Sequence, residues 1–248
     1  MKRGIRIIAL AVALLNSAIY AYALTLSSIE DHVRRNIRDT SSDTTLQRYS
    51  DTILDDLINA GQREVVDQTW CLNLSTSSTL VANTTYYSLP TDVLAVTEVT
   101  YRAADGTTSR LEETTPEKVW REHPDFEKSY TGTPNEYFVR TSTSGADSLE
   151  IAYMPIATTT STGTVRVYYY SQANDMSSDS DVPFDGYRHL YPYHDTLWLY
   201  VTYRIKLLEG RETEADLYRT LFEEKTANMR SQLGRRPNYT PSVKAAPK

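Results

Sequence analysis

Between Leu24 and Leu233 the apolar positions change rhythm twice. Ile29, Val33 and Ile37 recur every fourth residue, opposite Arg34, Arg35 and Arg38. That spacing predicts a short amphipathic helix, with Ser27 and Glu30 as a capping box at its start. Residues 39–45 are rich in Ser, Thr and Asp and read as a loop, after which Ser50 caps a second helix. Ile53, Leu54, Leu57, Ile58, Val65 and Val66 form its stripe as far as Trp70, with Asp51, Asp55, Asp56, Arg63 and Glu64 on the outer face. Period two then takes over. Residues 79–89, 93–102, 110–113, 136–141, 148–154 and 163–171 are rich in Thr, Val, Tyr and Leu and predict strands. Asp105-Gly106 is a hairpin signal, and 116–123 reads as one or two helical turns opened by Pro116. After a polar, acidic loop at 173–185, helical spacing returns in Tyr187, Leu190, Tyr191, His194, Leu197, Trp198, Val201, Ile205 and Leu208, stopped by Glu209-Gly210. A last helix carries Leu217, Tyr218, Leu221, Phe222, Lys225, Met229 and Leu233.

The order helix-helix, strands, helix-helix predicts an α+β fold. The N- and C-terminal helices bury their stripes against each other as an antiparallel four-helix bundle, and a β-rich insert, an antiparallel sheet or barrel-like domain, projects from one end. The expected divisions are an apolar N-terminal segment at 1–24, helical parts at 25–72 and 176–233, the insert at 73–175, and an extended basic tail at 234–248. Gly234, Pro237, Pro241 and Pro247 forbid regular structure in that tail.

Residues 1–23 have the layout of a secretory signal: Lys2, Arg3 and Arg6, an apolar run from Ile7 to Leu15, and Ala21-Tyr22-Ala23 as a small-x-small cleavage site. Two other readings stand beside it, a retained apolar helix and a leader upstream of a start at Leu24. The run is too short and too interrupted for a membrane span, so no stable membrane partner is expected.

Composition narrows the function. Of 248 residues, 19 are Tyr against 4 Phe and 3 Trp. Tyrosine packs with its ring and stays wet at its tip, so half-buried surfaces and subunit contacts are expected to hold these side chains. Only 9 Gly disfavour phosphate-binding loops, and the single Cys71 permits no internal disulfide. Net charge is −6, yet setting aside the three cations of the first six residues and the four of the last fifteen leaves 19 basic against 32 acidic residues, a body at −13. Such a body repels nucleic-acid phosphates.

No motif for catalysis or a cofactor is present. His189 and His194 are five apart, which spoils an i, i+4 chelate, and His194 falls on the apolar stripe, so packing is favoured over metal binding. Asp175, Asp179, Asp181 and Asp185 lack the central Gly and terminal Glu of a calcium loop. Glu112 and Glu113 are adjacent on a strand and point to opposite faces. No cofactor, metal or catalytic residue is expected.

Read in order, the segments carry a resemblance. Leu46 to Trp70 leads to Tyr87-Ser88-Leu89-Pro90-Thr91-Asp92, then Gly132-Thr133-Pro134 with Tyr137, Ile151-Ala152-Tyr153-Met154-Pro155 and Val165 to Tyr170. Asp181-Val182-Pro183, the segment around His194-Asp195 and a terminal helix close the series. From about Ile29 to Leu233 this resembles the head-to-tail connector, or portal adaptor, proteins of tailed bacteriophages, and is similar in plan to tail tubular protein A of short-tailed phages. The resemblance implies a non-enzymatic ring protein of the virion, usually dodecameric, that docks beneath the portal, continues the DNA channel without specific DNA binding, and offers a platform to tail or nozzle proteins. On that expectation Arg235, Arg236, Tyr239 and Lys244 contact the portal, Asp51, Asp55 and Asp56 line the channel, and Tyr187, Tyr191 and Trp198 lie between subunits. The alternative is an exported β-rich binding or adhesion module.

Overall fold

The computed structural model describes residues 23–234 except 42, 44–45, 143–147 and 159–162. The chain is α+β, and its described residues divide into two compact units, one within 23–69 and 173–234, the other within 70–172.

In the helical unit, α1 (Leu26–Ile37) starts two residues earlier than the capping-box reading places it. Thr25 is the N-cap, its hydroxyl accepting from the Ser28 amide at 3.3 Å. Ile29, Val33 and Ile37 are buried as the period requires, but so is Arg34, which the sequence placed on the wet face. Ser50 opens α2 (Asp51–Thr69), accepting from the Ile53 amide. The buried face of α2 is Leu54, Ile58, Asn59, Gln62, Val65 and Val66, while Ile53 is exposed. Two amides thus replace part of the expected apolar stripe, for a reason given below.

The C-terminal helices also depart from the reading. Residues 187–193 do not continue a helix: Arg188–Tyr193 is a 3₁₀ stretch containing Pro192, and α5 runs Asp195–Leu208. Proline has no amide to donate and clashes with the preceding turn, so regular α-helix begins only after it. Helices α3 and α4 lie in the β unit. Helix α5 is buried on nearly all sides through Leu197, Leu199, Tyr200, Val201, Thr202, Ile205 and Lys206, because α1, α2 and the last helix all pack on it. The Tyr200 ring lies on α2 at Gly61, where a Cβ would come within 2.8 Å of it. The last helix, α6 (Glu212–Gly234), buries Ala215, Phe222, Thr226, Met229 and Leu233 but leaves Leu217 and Leu221 in solvent.

The β unit is two four-stranded sheets. Sheet A has the order β1 (Asn73–Thr79), β8 (Gly163–Ser171), β3 (Val93–Ala103), β4 (Thr108–Arg110), all antiparallel. Sheet B has the order β2 (Tyr86–Ser88), β7 (Leu149–Met154), β6 (Glu136–Thr141), β5 (Glu112–Glu113), with β5 and β6 parallel. Strand β1 was not expected as such: Asn-Leu-Ser-Thr-Ser-Ser-Thr has almost no apolar alternation. It is an edge strand held by its backbone ladder to β8, and only its inward positions touch the core. The single strand expected at 79–89 is broken by a turn at Asn83, which has a φ of 57°, so that Thr79 ends β1 and 86–88 pairs separately as β2. The hairpin at Asp105-Gly106 is present, with Gly106 at a φ of 88° and the Asp105 carboxylate accepting from the Thr107 amide.

Val99, Tyr101, Val165, Val167 and Tyr169 of sheet A share one core with Tyr137, Ile151 and Tyr153 of sheet B. On its other face sheet B buries Phe138, Ala152 and Met154 under α3 (Pro116–Glu122) and α4 (Phe126–Ser129), through Val119 and Phe126. Tyr101 sits over Gly163, where a Cβ would fall within 2.2 Å of its ring. Nine of the sixteen described tyrosines are half-buried, in line with the expectation, but Tyr101, Tyr137, Tyr153, Tyr169, Tyr193 and Tyr200 are buried outright. With few Phe in the chain, Tyr supplies the aromatic volume of both interiors.

Candidate docking and assembly surfaces

Local chemistry first sorts the acidic residues of α2. Arg34 on α1 is a hub: its Nη2 reaches Asp51 at 2.5 Å and its Nη1 donates to the Tyr49 carbonyl at 3.1 Å and to Asp39 at 3.4 Å. Asp39, itself buried, also accepts the Arg48 and Tyr49 amides. One guanidinium therefore ties the end of α1, the connecting loop and the start of α2 together. Asp55, one turn on, is half-buried against Glu30, and one of its carboxylate oxygens is buried without a partner. Burial first, then the hydrogen bond to Asp55 and the charges of Asp55, Asp51 and Asp179, push the Glu30 carboxyl up to about 8. At neutral pH Glu30 therefore keeps its proton. Asp56 is exposed. The three carboxylates expected to form one channel-facing set thus have different surroundings.

The buried amides of α2 have a specific task. Asn59 donates to the Met176 carbonyl at 2.9 Å and accepts from the Met176 amide at 2.8 Å, as a neighbouring strand would. Gln62 donates to the Asn174 carbonyl and accepts from the Phe184 amide, both at 2.7 Å. Arg63 pairs with Asp175. The loop after β8 is thereby pinned along α2, and Leu26 and Ser27 of α1 donate backbone bonds to Asp181 and Asp179 of the same loop. Nothing in the periodicity announced Arg34, Asn59 or Gln62. The one available signal was their position within otherwise apolar helix faces.

Tyr187 is 37% exposed, with its ring near His189 at 5.8 Å. Tyr191 is half-buried against His194 at 5.1 Å, and Trp198 is half-buried and stacked on His32 of α1 at 6.0 Å. His194 is fully buried: its Nδ1 accepts from the Leu24 amide at 3.2 Å, and burial pulls its pKa down to about 4. It is a neutral packing group. At the α5–α6 corner the buried Lys206 ammonium meets Glu214 at 3.3 Å, and Glu209 meets both Arg48 and Arg211. Among the described residues no cluster of His, Cys, Asp and Glu could hold a metal ion, and no helix is long and apolar enough to cross a membrane. Arg235, Arg236, Tyr239 and Lys244 lie outside the described residues.

The outer face of sheet A is the surface the sequence reading did not single out. The register sets four cross-strand rows: Thr79, Thr164, Arg102 and Thr108; Ser77, Arg166, Thr100 and Arg110; Ser75, Tyr168 and Glu98; Asn73, Tyr170 and Ala95. Trp70, held at a φ of 53° where α2 ends, lays its ring against Tyr170 at 5.0 Å. The strands of sheet A carry three Arg and one Glu, whereas those of sheet B carry four Glu and one Arg.

No curated protein matches the chain in sequence. The SU10 adaptor protein family model matches residues 24–245, a span that takes in α1 to α6 and both sheets. The chain therefore belongs to the SU10 adaptor protein family, the head-to-tail adaptors of phage virions.

Proposed function

We propose that this adaptor works as a ring, of twelve copies on the resemblance to other connectors, which docks beneath the portal, continues the DNA channel and presents a platform to tail or nozzle proteins. The observation that carries the reading is the family match over both units. In this reading α1, α2, α5 and α6 form a four-helix bundle that builds the ring wall. The segment 234–248 grips the portal through Arg235, Arg236, Tyr239 and Lys244. The likeness to tail tubular protein A remains a matter of plan.

The charge distribution supports a channel role. The stretches 23–69 and 173–234 hold 12 basic against 20 acidic residues, so DNA slides past without the phosphate contacts that would pin it. Of the three carboxylates considered for the lumen, Asp56 is the one that neither Arg34 nor Glu30 engages, and its exposure favours it. Tyr187, half-exposed, remains the best placed of the three aromatic residues for a subunit contact; Trp198 already stacks inside the unit.

Negative-stain imaging of the chain with its portal protein tests the reading: closed rings seated on the portal are expected, and failure to form or join a ring at high concentration overturns it. Deleting 234–248 is expected to weaken portal docking while circular dichroism stays unchanged. Equal affinity for the portal would remove the tail from the proposal.

A further inference from the structure

We propose that the outer face of sheet A receives helix α6 of a second copy of the chain, through the stripe Asp216, Leu217, Leu221 and Glu224. This rests on the ring reading and deepens it by naming the two surfaces that meet.

The sheet face has the make-up of a protein-recognition surface. Tyr168, Tyr170 and Trp70 offer rigid aromatic area at one end, Arg102 and Arg166 offer planar donors at the other, and Ser and Thr fill the rows between. Among the described residues neither Arg102 nor Arg166 has a carboxylate partner; Arg166 Nε reaches only the Ser77 hydroxyl, at 3.3 Å. Two unpaired guanidinium groups in a body at −13 are complementary to carboxylates on the same chain's helical unit, where acids outnumber bases. They are too few for a duplex, since DNA-binding surfaces gain affinity from about six to ten phosphate contacts.

Helix α6 supplies the matching stripe. Leu217 is 59% exposed and Leu221 39%, one turn apart, with the buried face of α6 turned the other way. Asp216 and Glu224, both exposed, flank them. With one carboxylate end of the stripe on Arg102 and Arg166, its leucines fall toward the rows of Tyr168 and Tyr170. The lengths agree: eight rises of helix from 216 to 224 cover about 12 Å, and four rises of strand from Arg166 to Tyr170 cover about 13 Å. Because the two surfaces are different parts of one chain, the contact is heterologous. Repetition of such a contact closes a ring when the rotation allows it.

The test is mass photometry of the full chain, with circular dichroism to confirm folding. Arg102→Glu with Arg166→Glu, and separately Asp216→Lys with Glu224→Lys, are each expected to weaken assembly about 100-fold, since like charges then face each other. Putting all four changes in one chain, or mixing the two double variants in equal amounts, is expected to restore it. A sheet variant that assembles like the parent overturns the proposal and leaves the ring reading standing. Dispersal without rescue overturns the pairing of these two faces. A parent chain that stays single at every concentration removes the ring reading itself. Should a charge reversal fail to fold, Arg102→Ser with Arg166→Ser and Leu217→Ser with Leu221→Ser replace it, with about 10-fold weakening expected; unchanged assembly in both overturns the proposal. If the arginine variant assembles normally but loses binding to a 30-base-pair duplex that the parent binds, the face belongs to nucleic acid and the proposal falls.

Discussion

The β unit keeps its charges outside its two cores, whereas the helical unit buries Arg34, Asp39, Asn59, Gln62, His194 and Lys206. The difference follows from what each must hold together. Strands with period-two alternation define their own inner face, and Val99, Val165, Val167 and Ile151 meet across the sandwich by volume alone. The helical unit must instead join α1, the loop after β8, α5 and α6, which come from opposite ends of the chain. Apolar stripes permit several rotations of one helix on another. Arg34 on three acceptors, and Asn59 and Gln62 on four backbone groups, permit one. Geometry in the helical unit is thus fixed by buried polar bonds, which are costly to leave unmade.

The largest effects should come from breaking each device once. Phe138→Ala opens a cavity between sheet B and α4, where Phe126 meets the ring at 6.2 Å, and is expected to cost about 3–5 kcal/mol. Phe138→Leu should recover most of that. Arg34→Met leaves buried Asp39 without its cation and is expected to cost about 3–5 kcal/mol, although methionine matches the volume of the arginine stem. Urea unfolding, with hydrogen exchange resolved by peptide, assigns each loss to its unit. If Arg34→Met is tolerated as well as Phe138→Leu, the helical unit is held by volume after all.

Gln62→Leu sharpens the same contrast at a smaller scale. It strands the Asn174 carbonyl and the Phe184 amide, and about 1–3 kcal/mol should be lost. Exchange should rise at the Phe184 amide and its neighbours, with no change in the β unit.

These devices explain which parts of the fold were legible in the sequence. The Ile29, Val33 and Ile37 stripe, the strands from Val93 to Ala103 and Gly163 to Ser171, and the hairpin at Gly106 follow from periodicity or turn chemistry. Arg34, Asn59 and Gln62 are buried only because partners far along the chain satisfy them, and no local pattern reports a partner. Strand β1 was hidden because an edge strand can be held by its backbone, and Leu217 and Leu221 were read as core because exposure is invisible to hydropathy. The uncovered face of sheet A depends on register, which pairs Arg166 with Thr100 and Tyr168 with Glu98 only once the bulges of β3 are known.

The pH response should separate the units next. Glu30 has its folded pKa raised from 4.5 to about 8, so the native state binds its proton more tightly and the helical unit loses stability as pH rises through that window. His194 is lowered from 6.5 to about 4, so the unfolded chain binds its proton first and stability falls as pH drops through that window. The two oppose each other below 6.5, and above it Glu30 acts without opposition from His194. Glu30→Gln is therefore expected to flatten the decline between pH 6.5 and 8, seen by thermal melts and by exchange in α1. In the β unit, the buried Tyr137 is pushed up to about 12 and Tyr153 is raised further, mainly by burial, so neither titrates in this range. A β unit that loses protection over the same range would break the contrast.

The smallest effect is expected at a charge pair that neither unit buries. Arg219 donates to Glu223 at 2.8 Å, one turn along α6, with the two side chains 62% and 58% exposed. Exposed i, i+4 pairs contribute little and are screened by salt, so Arg219→Ala in the dispersed chain should leave urea stability almost unchanged. The same substitution lies beside the Asp216–Glu224 stripe and removes a cation from it. If that stripe meets Arg102 and Arg166 of another copy, Arg219→Ala should leave the single chain nearly untouched while tightening assembly at low salt. A clear loss of stability in the single chain would instead mean that α6 leans on this pair for its own packing, and the division between buried and surface charge in the helical unit would have to move outward to include it.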